Sequence, residues 1–156
     1  MIEIAIPGFT TFRFQHLVLD VNGTIAKDGQ LLGGVQDLLS ALRTRLDLHL
    51  VTADTHGNQS TIDRLLGLEA VRIPSLDQAK AKLDYIERLG VETVAAVGNG
   101  ANDAAMLGRA ALGILIIGPE GSAVEALLRA KVVVPDIRAA LELLLFPKRL
   151  MATLRR

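Results

Sequence analysis

Cysteine is absent from this 156-residue chain, and aromatic residues make up only 3% of it. The absence of cysteine excludes disulfide bonds, thiolate catalysis and cysteine-based zinc or iron–sulfur sites. Net charge is absent too, because 17 acidic side chains balance 17 basic ones. We therefore expect no nucleic-acid partner, and we expect any bound metal to use oxygen or imidazole ligands.

Long apolar runs are missing as well. The longest uncharged apolar stretch, residues 110–119, is well short of the ~20 residues that cross a bilayer. The first residues lack the basic region and apolar run of a secretory signal. At a typical ~100–200 residues per domain, we expect residues 1–156 to form a single cytoplasmic domain that binds no membrane. Residues 147–156 are predicted to be a basic C-terminal tail.

Apolar residues that alternate with other residue types predict an N-terminal β-hairpin over residues 1–15. Five nearly continuous apolar runs follow, typical of strands covered on both faces: residues 16–20, 48–52, 94–98, 113–117 and 132–134. Amphipathic helical periods lie between them, for example over residues 35–46 and 76–89. This alternation predicts an α/β fold with a Rossmann-like, doubly wound, mainly parallel sheet and helices on both faces.

Three of the predicted strands end in polar residues, at the edge where open α/β sheets bind ligands. The segments are Asp20-Val21-Asn22-Gly23-Thr24, Thr52-Ala53-Asp54 and Gly98-Asn99-Gly100-Ala101-Asn102-Asp103. One strand-end carboxylate alone is more often a turn or cap residue. Three polar ends at one edge favour a functional site.

The residue types at these ends fit phosphoryl transfer. Asp20 could attack a phosphoryl group and form an aspartyl phosphate. Mg²⁺ could offset the phosphate charge, with Asp20, one backbone carbonyl and an acid or amide from residues 99–103 as ligands. Lys80 or Lys82 could place an ammonium group against the phosphoryl oxygens, and Thr52 could donate a hydrogen bond to them.

The ordered set of segments resembles the haloacid dehalogenase (HAD) superfamily, whose motifs are Asp-x-Asp-x-Thr, a Thr or Ser after a strand, a Lys and an acidic loop. Within it, the set is most similar to the phosphorylation domain of P-type ATPases, with Asp-Lys-Thr-Gly-Thr, Thr-Gly-Asp and Gly-Asp-Gly-x-Asn-Asp. The resemblance covers Leu17 to about Leu107. The family lysine precedes the last motif by about five helical turns of sequence, which favours Lys80 over Lys82.

The resemblance implies a role for each matching residue. Asp20 would be the nucleophile and a Mg²⁺ ligand, and the backbone carbonyl of Asn22 would also bind the metal. Asn99 and Asp103 would complete the metal site. The residues that would hold or neutralise the phosphoryl group are Thr24, Thr52, Ala53, Lys80 and Asn102.

Two positions depart from the family pattern. HAD phosphatases have a second Asp, which transfers protons, at the position of Asn22. An amide cannot do this, and general acid–base catalysis contributes ~10²–10⁴-fold, so turnover should be slow. P-type ATPases have Thr there, so transfer to Asp20 is still allowed. Asn99 replaces a metal-binding Asp, which should weaken Mg²⁺ binding.

The segments between the motifs are short. Residues 24–52 and 54–80 each have room for about one helix, so we expect no cap domain. The nucleotide-binding domain and the membrane helices of a P-type ATPase have no counterpart in this sequence, so we expect no ion pumping. An open site of this kind could be covered by a neighbouring copy in a homo-oligomer.

The sequence thus predicts a Mg²⁺-dependent phosphohydrolase or phosphotransferase acting on a phosphorylated substrate that it does not name. The alternative is a catalytically weakened phosphate-binding module that regulates or docks a partner.

Overall fold

The computed structural model describes residues 1–53 and 57–156. Its centre is a six-stranded sheet in the order β10-β9-β8-β3-β6-β7, and every neighbouring pair is parallel. The strands are β3 (His16–Asp20), β6 (Asp47–Thr52), β7 (Val71–Arg72), β8 (Val94–Gly98), β9 (Leu112–Ile116) and β10 (Val132–Val134). This confirms the predicted Rossmann-like parallel sheet.

Two antiparallel hairpins precede the first helix. The predicted N-terminal hairpin is confirmed: β1 (Ile2–Ile6) pairs with β2 (Thr10–Phe14) and places Ile4 opposite Phe12. A second, very small hairpin of β4 (Ala26–Lys27) and β5 (Gln30–Leu31) follows the first polar strand end. This small hairpin is the whole insertion between β3 and the first helix, so it leaves the adjoining end of the sheet open.

Helices cover both faces of the sheet, as predicted. They are α1 (Val35–Arg43), α2 (Gln59–Leu66), α3 (Gln78–Leu89), α4 (Ala104–Arg109), α5 (Val124–Arg129), α6 (Ile137–Leu145) and α7 (Pro147–Leu154). Alternate residues of β3 enter different cores, because successive side chains in a strand point to opposite faces. Leu17 and Leu19 pack with the N-terminal hairpin, α1 and α6, whereas Val18 packs with α3 and α4.

The basic segment at residues 147–156 is largely helical instead of a free tail. Pro147 occupies the first turn of α7, where its missing N–H costs nothing. Leu150 is fully buried in the core beside the N-terminal hairpin, and the backbone N–H of Arg156 donates to the carbonyl of Pro7. An apolar stripe inside the basic segment therefore anchors it. No helix within the described ranges is both long and apolar enough to cross a bilayer.

Candidate active site

The parallel register brings the predicted polar strand ends together at one edge of the sheet. Strand β3 lies between β6 and β8, so Asp20 at its end is next to the ends of both neighbours. A cleft of about 190 Å³ opens there. Its lining residues are Asp20, Asn22, Ala53, Gln78, Lys82, Asn99, Gly100, Asn102 and Glu120. Five of these, Asp20, Asn22, Ala53, Asn99 and Asn102, belong to the predicted site.

Lys82 forms the electrostatic centre of this cleft. Its side chain is 1% exposed, and its Nζ lies 2.6 Å from Asp20 Oδ1 and 2.6 Å from Asp103 Oδ1. It reaches the sheet from the second turn of α3, one turn before the buried Ile86. A charge this deeply buried is costly unless it is paired, and the two carboxylates pair it.

The same burial changes how Asp20 titrates. The pKa of Asp20 is raised from 3.8 to about 7, first by burial and next by the neighbouring charge of Asp103. Attraction and hydrogen bonding from Lys82, and a hydrogen bond from Thr24, partly offset this rise. Burial also lowers the pKa of Lys82, but attraction to the two carboxylates outweighs that effect and the net pKa is raised. Lys82 therefore stays charged at neutral pH, and the pKa of Asp20 lies well above the usual range of a carboxyl group.

The prediction that Lys80 faces the phosphoryl group is wrong. Lys80 lies on the solvent side of α3, where its Nζ is 2.5 Å from Asp84 Oδ2. Lys80 and Lys82 are two residues apart, which places them on roughly opposite sides of a helix at 3.6 residues per turn. Only one can face the sheet, and the helix register set by Ile86 selects Lys82.

Asp103 is not placed as a metal ligand, contrary to the prediction. It is fully buried and does not line the cleft. Its Oδ1 accepts a hydrogen bond from Lys82, and its Oδ2 accepts from the backbone N–H groups of Asn99 and Gly100, both at 3.0 Å. A Cβ at Gly98 would lie 2.5 Å from this carboxylate, so the strand must end in glycine. Asp103 thus fixes the loop and holds Lys82.

Thr24 also differs from its predicted role. It is fully buried beneath the cleft, so it cannot contact a substrate there. Its hydroxyl lies 3.0 Å from Asp20 Oδ2 and 3.2 Å from Asn99 Oδ1. Since the hydroxyl carries one proton, it donates to one of these oxygens at a time. Thr24 therefore orients the carboxylate of Asp20 and the amide of Asn99.

The second predicted segment lies across the cleft. Ala53 lines it, and Thr52 is buried at the end of β6, where its Oγ1 accepts a long hydrogen bond of 3.4 Å from Asn22 Nδ2. Asp54, the third residue of that segment, lies outside the described residues. The phosphate-binding role of Thr52 stays a prediction.

Two cleft residues, Gln78 and Glu120, were missed by the motif analysis, and a third, Lys82, was considered but ranked below Lys80. Gln78 begins α3 and accepts a hydrogen bond of 2.7 Å from Asn102 Nδ2, which ties the start of the helix to the last motif. The helix register relative to Ile86 would have ranked Lys82 above Lys80. Glu120 follows β9, beyond the last motif, and the Gly118-Pro119-Glu120-Gly121 turn composition was the available sign of a loop at this edge.

The donor set at this edge suits Mg²⁺. Asp20 and Asn99 offer side-chain oxygens at adjacent strand ends, and Asn22, whose backbone carbonyl the family resemblance assigns to the metal, also lines the cleft. Among the cleft residues that the structure describes, none carries a thiol or an imidazole, so the described metal donors are of the hard oxygen type that Mg²⁺ prefers. Within residues 1–53 and 57–156, no group of three or more acidic, His or Cys side chains forms a ready cage. The site therefore fits an ion that keeps several water ligands, as Mg²⁺ does.

Comparison with known proteins defines the class of this chain. The profile of haloacid dehalogenase-like hydrolases matches residues 3–111, which is more than half of the sequence. This chain therefore belongs to the haloacid dehalogenase-like hydrolase family. The matched part includes the cleft residues from Asp20 to Asn102 and ends before Glu120.

Individual relatives share parts of the sequence or the whole fold. The uncharacterized protein MJ0073 of Methanocaldococcus jannaschii is 46% identical over 79 residues, which is 48% of this chain and 85% of that protein. The 3-deoxy-D-manno-octulosonate 8-phosphate phosphatase of Moraxella catarrhalis, in complex with magnesium, phosphate and the sugar acid, superposes with a TM-score of 0.65. It is 19% identical, over 91% of this chain and 94% of that one.

A further structural neighbour is described as a phospho-aspartyl intermediate analogue of phosphoserine phosphatase. Its TM-score is 0.67 at 13% identity, over 83% of this chain and 98% of that one. At such low identity the two solved structures establish the shared fold.

Proposed function

We propose that this protein is a Mg²⁺-dependent phosphohydrolase or phosphotransferase that forms an aspartyl phosphate on Asp20. The observation that carries the proposal is Lys82, a buried ammonium group held between Asp20 and Asp103 at the floor of an open cleft. A carboxylate with an adjacent fixed cation suits attack on a phosphoryl group, since the cation offsets the charge that would otherwise repel the nucleophile. The phosphatases among the structural neighbours support the same substrate class, a phosphate monoester.

In the proposed first step, a carboxylate oxygen of Asp20 forms a bond to phosphorus, and the bond from phosphorus to the leaving oxygen breaks. The leaving oxygen takes the electron pair and acquires a proton from water, because Asn22 has none to give. Lys82 and the hydroxyl of Thr24 hold the two carboxylate oxygens and so fix the direction of attack. Mg²⁺, bound by Asp20, the Asn22 carbonyl and Asn99, would supply positive charge to the phosphoryl oxygens.

In the second step, water attacks phosphorus and releases Asp20 and inorganic phosphate. This attack needs a base to accept the water proton, and Asn22, the amide at the family's acid–base position, cannot accept it. Its Nδ2 instead donates to Thr52 across the cleft. The phosphoenzyme should therefore accumulate.

The same observation about Asn22 favours a second candidate function. A protein that binds phosphate or becomes phosphorylated but turns over slowly could act as a regulatory or partner-docking module. Both candidates require Asp20, Lys82 and Mg²⁺. They differ in whether phosphate leaves the site catalytically.

Intact-protein mass spectrometry after acid quench tests the proposal. The protein is incubated with acetyl phosphate and Mg²⁺, beside an Asp20→Asn variant and a sample without Mg²⁺. We expect a phosphoryl adduct on the native chain alone, sensitive to hydroxylamine as an acyl phosphate should be. A decay within the time of one catalytic turnover identifies a phosphatase, and a long-lived adduct identifies the slow module. An equal adduct on Asp20→Asn, or no adduct and no phosphate release, would refute the proposal.

A further inference from the structure

A carboxylate outside the predicted motifs reaches the cleft from the segment after β9. Residues 118–121 form a tight turn in which the N–H of Gly121 donates to the carbonyl of Gly118 at 3.0 Å. Pro119 and Glu120 occupy the two central positions, and Gly121 has a φ of +79° that favours glycine. The turn therefore presents Glu120 to the cleft that also contains Asp20 and Asn99.

Gly23 shows how closely Glu120 approaches the expected metal ligands. A Cβ built on Gly23 would lie 2.7 Å from Glu120 Oε2, 2.8 Å from Asn99 Nδ2 and 3.2 Å from Asn99 Oδ1. The carboxylate of Glu120 and the amide of Asn99 thus converge on one point, beside the residue that follows Asn22. Because Asn22 is expected to bind the metal through its carbonyl, Glu120 lies on the metal side of the cleft.

The amide of Asn99 holds this turn in place. Its Nδ2 donates to the carbonyl of Gly121 at 2.9 Å, and its backbone carbonyl accepts from the N–H of Ala123 at 2.8 Å. A carboxylate at position 99 could not donate the first of these hydrogen bonds. The residue that replaces the family's metal-binding Asp therefore secures the loop that delivers another carboxylate.

Glu120 also differs from Asp103 in what surrounds it. Every oxygen of the Asp103 carboxylate is occupied by Lys82 or by backbone N–H groups. Glu120 is exposed and forms no salt bridge or hydrogen bond with any part of the chain that the structure describes. Its charge is available to a ligand in the cleft.

We propose that Glu120 supplies the carboxylate that Asn99 does not, as a ligand of the Mg²⁺ ion bound with Asp20. The inference rests on the proposed function, since it assigns a residue to that metal site. It restores a second carboxylate to a site in which Asp103 is neutralised by Lys82. Hard divalent cations favour carboxylate oxygens. A carboxylate supplied by Glu120, in place of the one expected at position 99, would therefore maintain the affinity of the site for Mg²⁺.

Direct metal binding tests this assignment without relying on activity. Mn²⁺ is titrated into the metal-free protein, free Mn²⁺ is followed by electron paramagnetic resonance, and Mg²⁺ is then added as a competitor. The variants are Glu120→Gln and Asp20→Asn, with Glu125→Gln as the control because Glu125 is an exposed carboxylate outside the cleft. We expect Glu120→Gln to weaken Mn²⁺ and Mg²⁺ binding by about tenfold or more, and Glu125→Gln to change it by less than about twofold.

The outcomes separate this inference from the proposed function. If Asp20→Asn weakens Mn²⁺ binding while Glu120→Gln behaves like Glu125→Gln, the metal site stands and the assignment of Glu120 is overturned. If the native protein binds no Mn²⁺ at millimolar concentration, both fail. An unchanged Mn²⁺ affinity together with an altered pH profile of turnover in Glu120→Gln would also overturn the assignment, because it would identify Glu120 as a proton-transfer group.

Discussion

Exchanging Lys82 and Lys80 for methionine, one at a time, tests the central feature of the site. Lys82 makes two hydrogen bonds of 2.6 Å to buried carboxylates, whereas Lys80 makes one exposed ion pair with Asp84. Removing one partner from a buried ionic group costs about 3–5 kcal/mol, because the remaining charges are left uncompensated. Removing the exposed pair costs at most about 0.5 kcal/mol. The two variants share a helix and a substitution, and they differ in burial and in the number of carboxylates that the lysine pairs with.

Urea unfolding measures the difference. With a typical slope of about 1–3 kcal/mol per molar urea, Lys82→Met should lower the midpoint by about 1 M or more, and Lys80→Met by a few tenths at most. Adduct formation from acetyl phosphate should slow by about 100-fold or more in Lys82→Met and be unchanged in Lys80→Met. Loss of Lys82 also removes the attraction that lowers the pKa of Asp20, so raising the pH above neutral should restore part of the rate.

Equal urea midpoints for the two variants would refute the reasoning about burial. Loss of the adduct in Lys80→Met, with normal formation in Lys82→Met, would refute the assignment of the site lysine. If Lys82→Met does not fold, Lys82→Arg keeps the charge and allows the adduct to be compared with that of Lys80→Arg.

Three further changes follow from the same geometry. The folded protein without metal keeps the Asp20 proton up to about pH 7, whereas an unfolded chain releases it near 3.8, so the free energy of unfolding should fall as pH rises across that interval. Urea midpoints measured at several pH values should depend less on pH in Asp20→Asn than in the native chain. Parallel curves for the two proteins would contradict the assigned pKa. Asn22→Asp should raise phosphate release by about 10²–10⁴-fold by restoring a proton-transfer group, and no gain with any substrate that forms the adduct would count against that role. Asn99→Asp loses the hydrogen-bond donor to the carbonyl of Gly121, so without metal its free energy of unfolding should be about 1–3 kcal/mol lower than that of the native chain. Mg²⁺ should stabilise this variant more than it stabilises the native chain. Equal urea midpoints without Mg²⁺ would contradict this role of Asn99.

The fold was predictable because its main elements have strong periodic patterns. Continuous apolar runs identified the central strands, and alternation at Ile2, Ile4 and Ile6 identified the first strand of the hairpin. The prediction of a C-terminal tail was based on the charge of Lys148 and its basic neighbours. It did not take into account the apolar residues of α7, among which Leu150 is buried. The start of α3 was placed too early, because Leu76 fits the helical period but is 84% exposed in the turn before the helix.

The site was predictable only in part, since spacing locates a residue along the chain but not the direction of its side chain. Counting helical turns of sequence back from the last motif favoured Lys80, although the helix register relative to Ile86 indicates Lys82. Asp103 looks like a metal ligand in the sequence. A 3₁₀ turn over Ala101–Asp103 directs it back to the amides of its own loop. Glu120 lies beyond the motifs, and only the tertiary fold brings it to Asn99.

The position of Asp20 within the sheet predicts different local stabilities for the two sides of the cleft. Strand β3 is hydrogen-bonded on both sides by five-residue and six-residue neighbours, whereas β6 has the two-residue β7 as its outer partner. Amides in the middle of β3 should exchange with deuterium only through global unfolding, and those at the β7 edge through smaller openings. Ala53 follows β6 on this side of the sheet, so we expect its backbone to open more readily than that of Asp20.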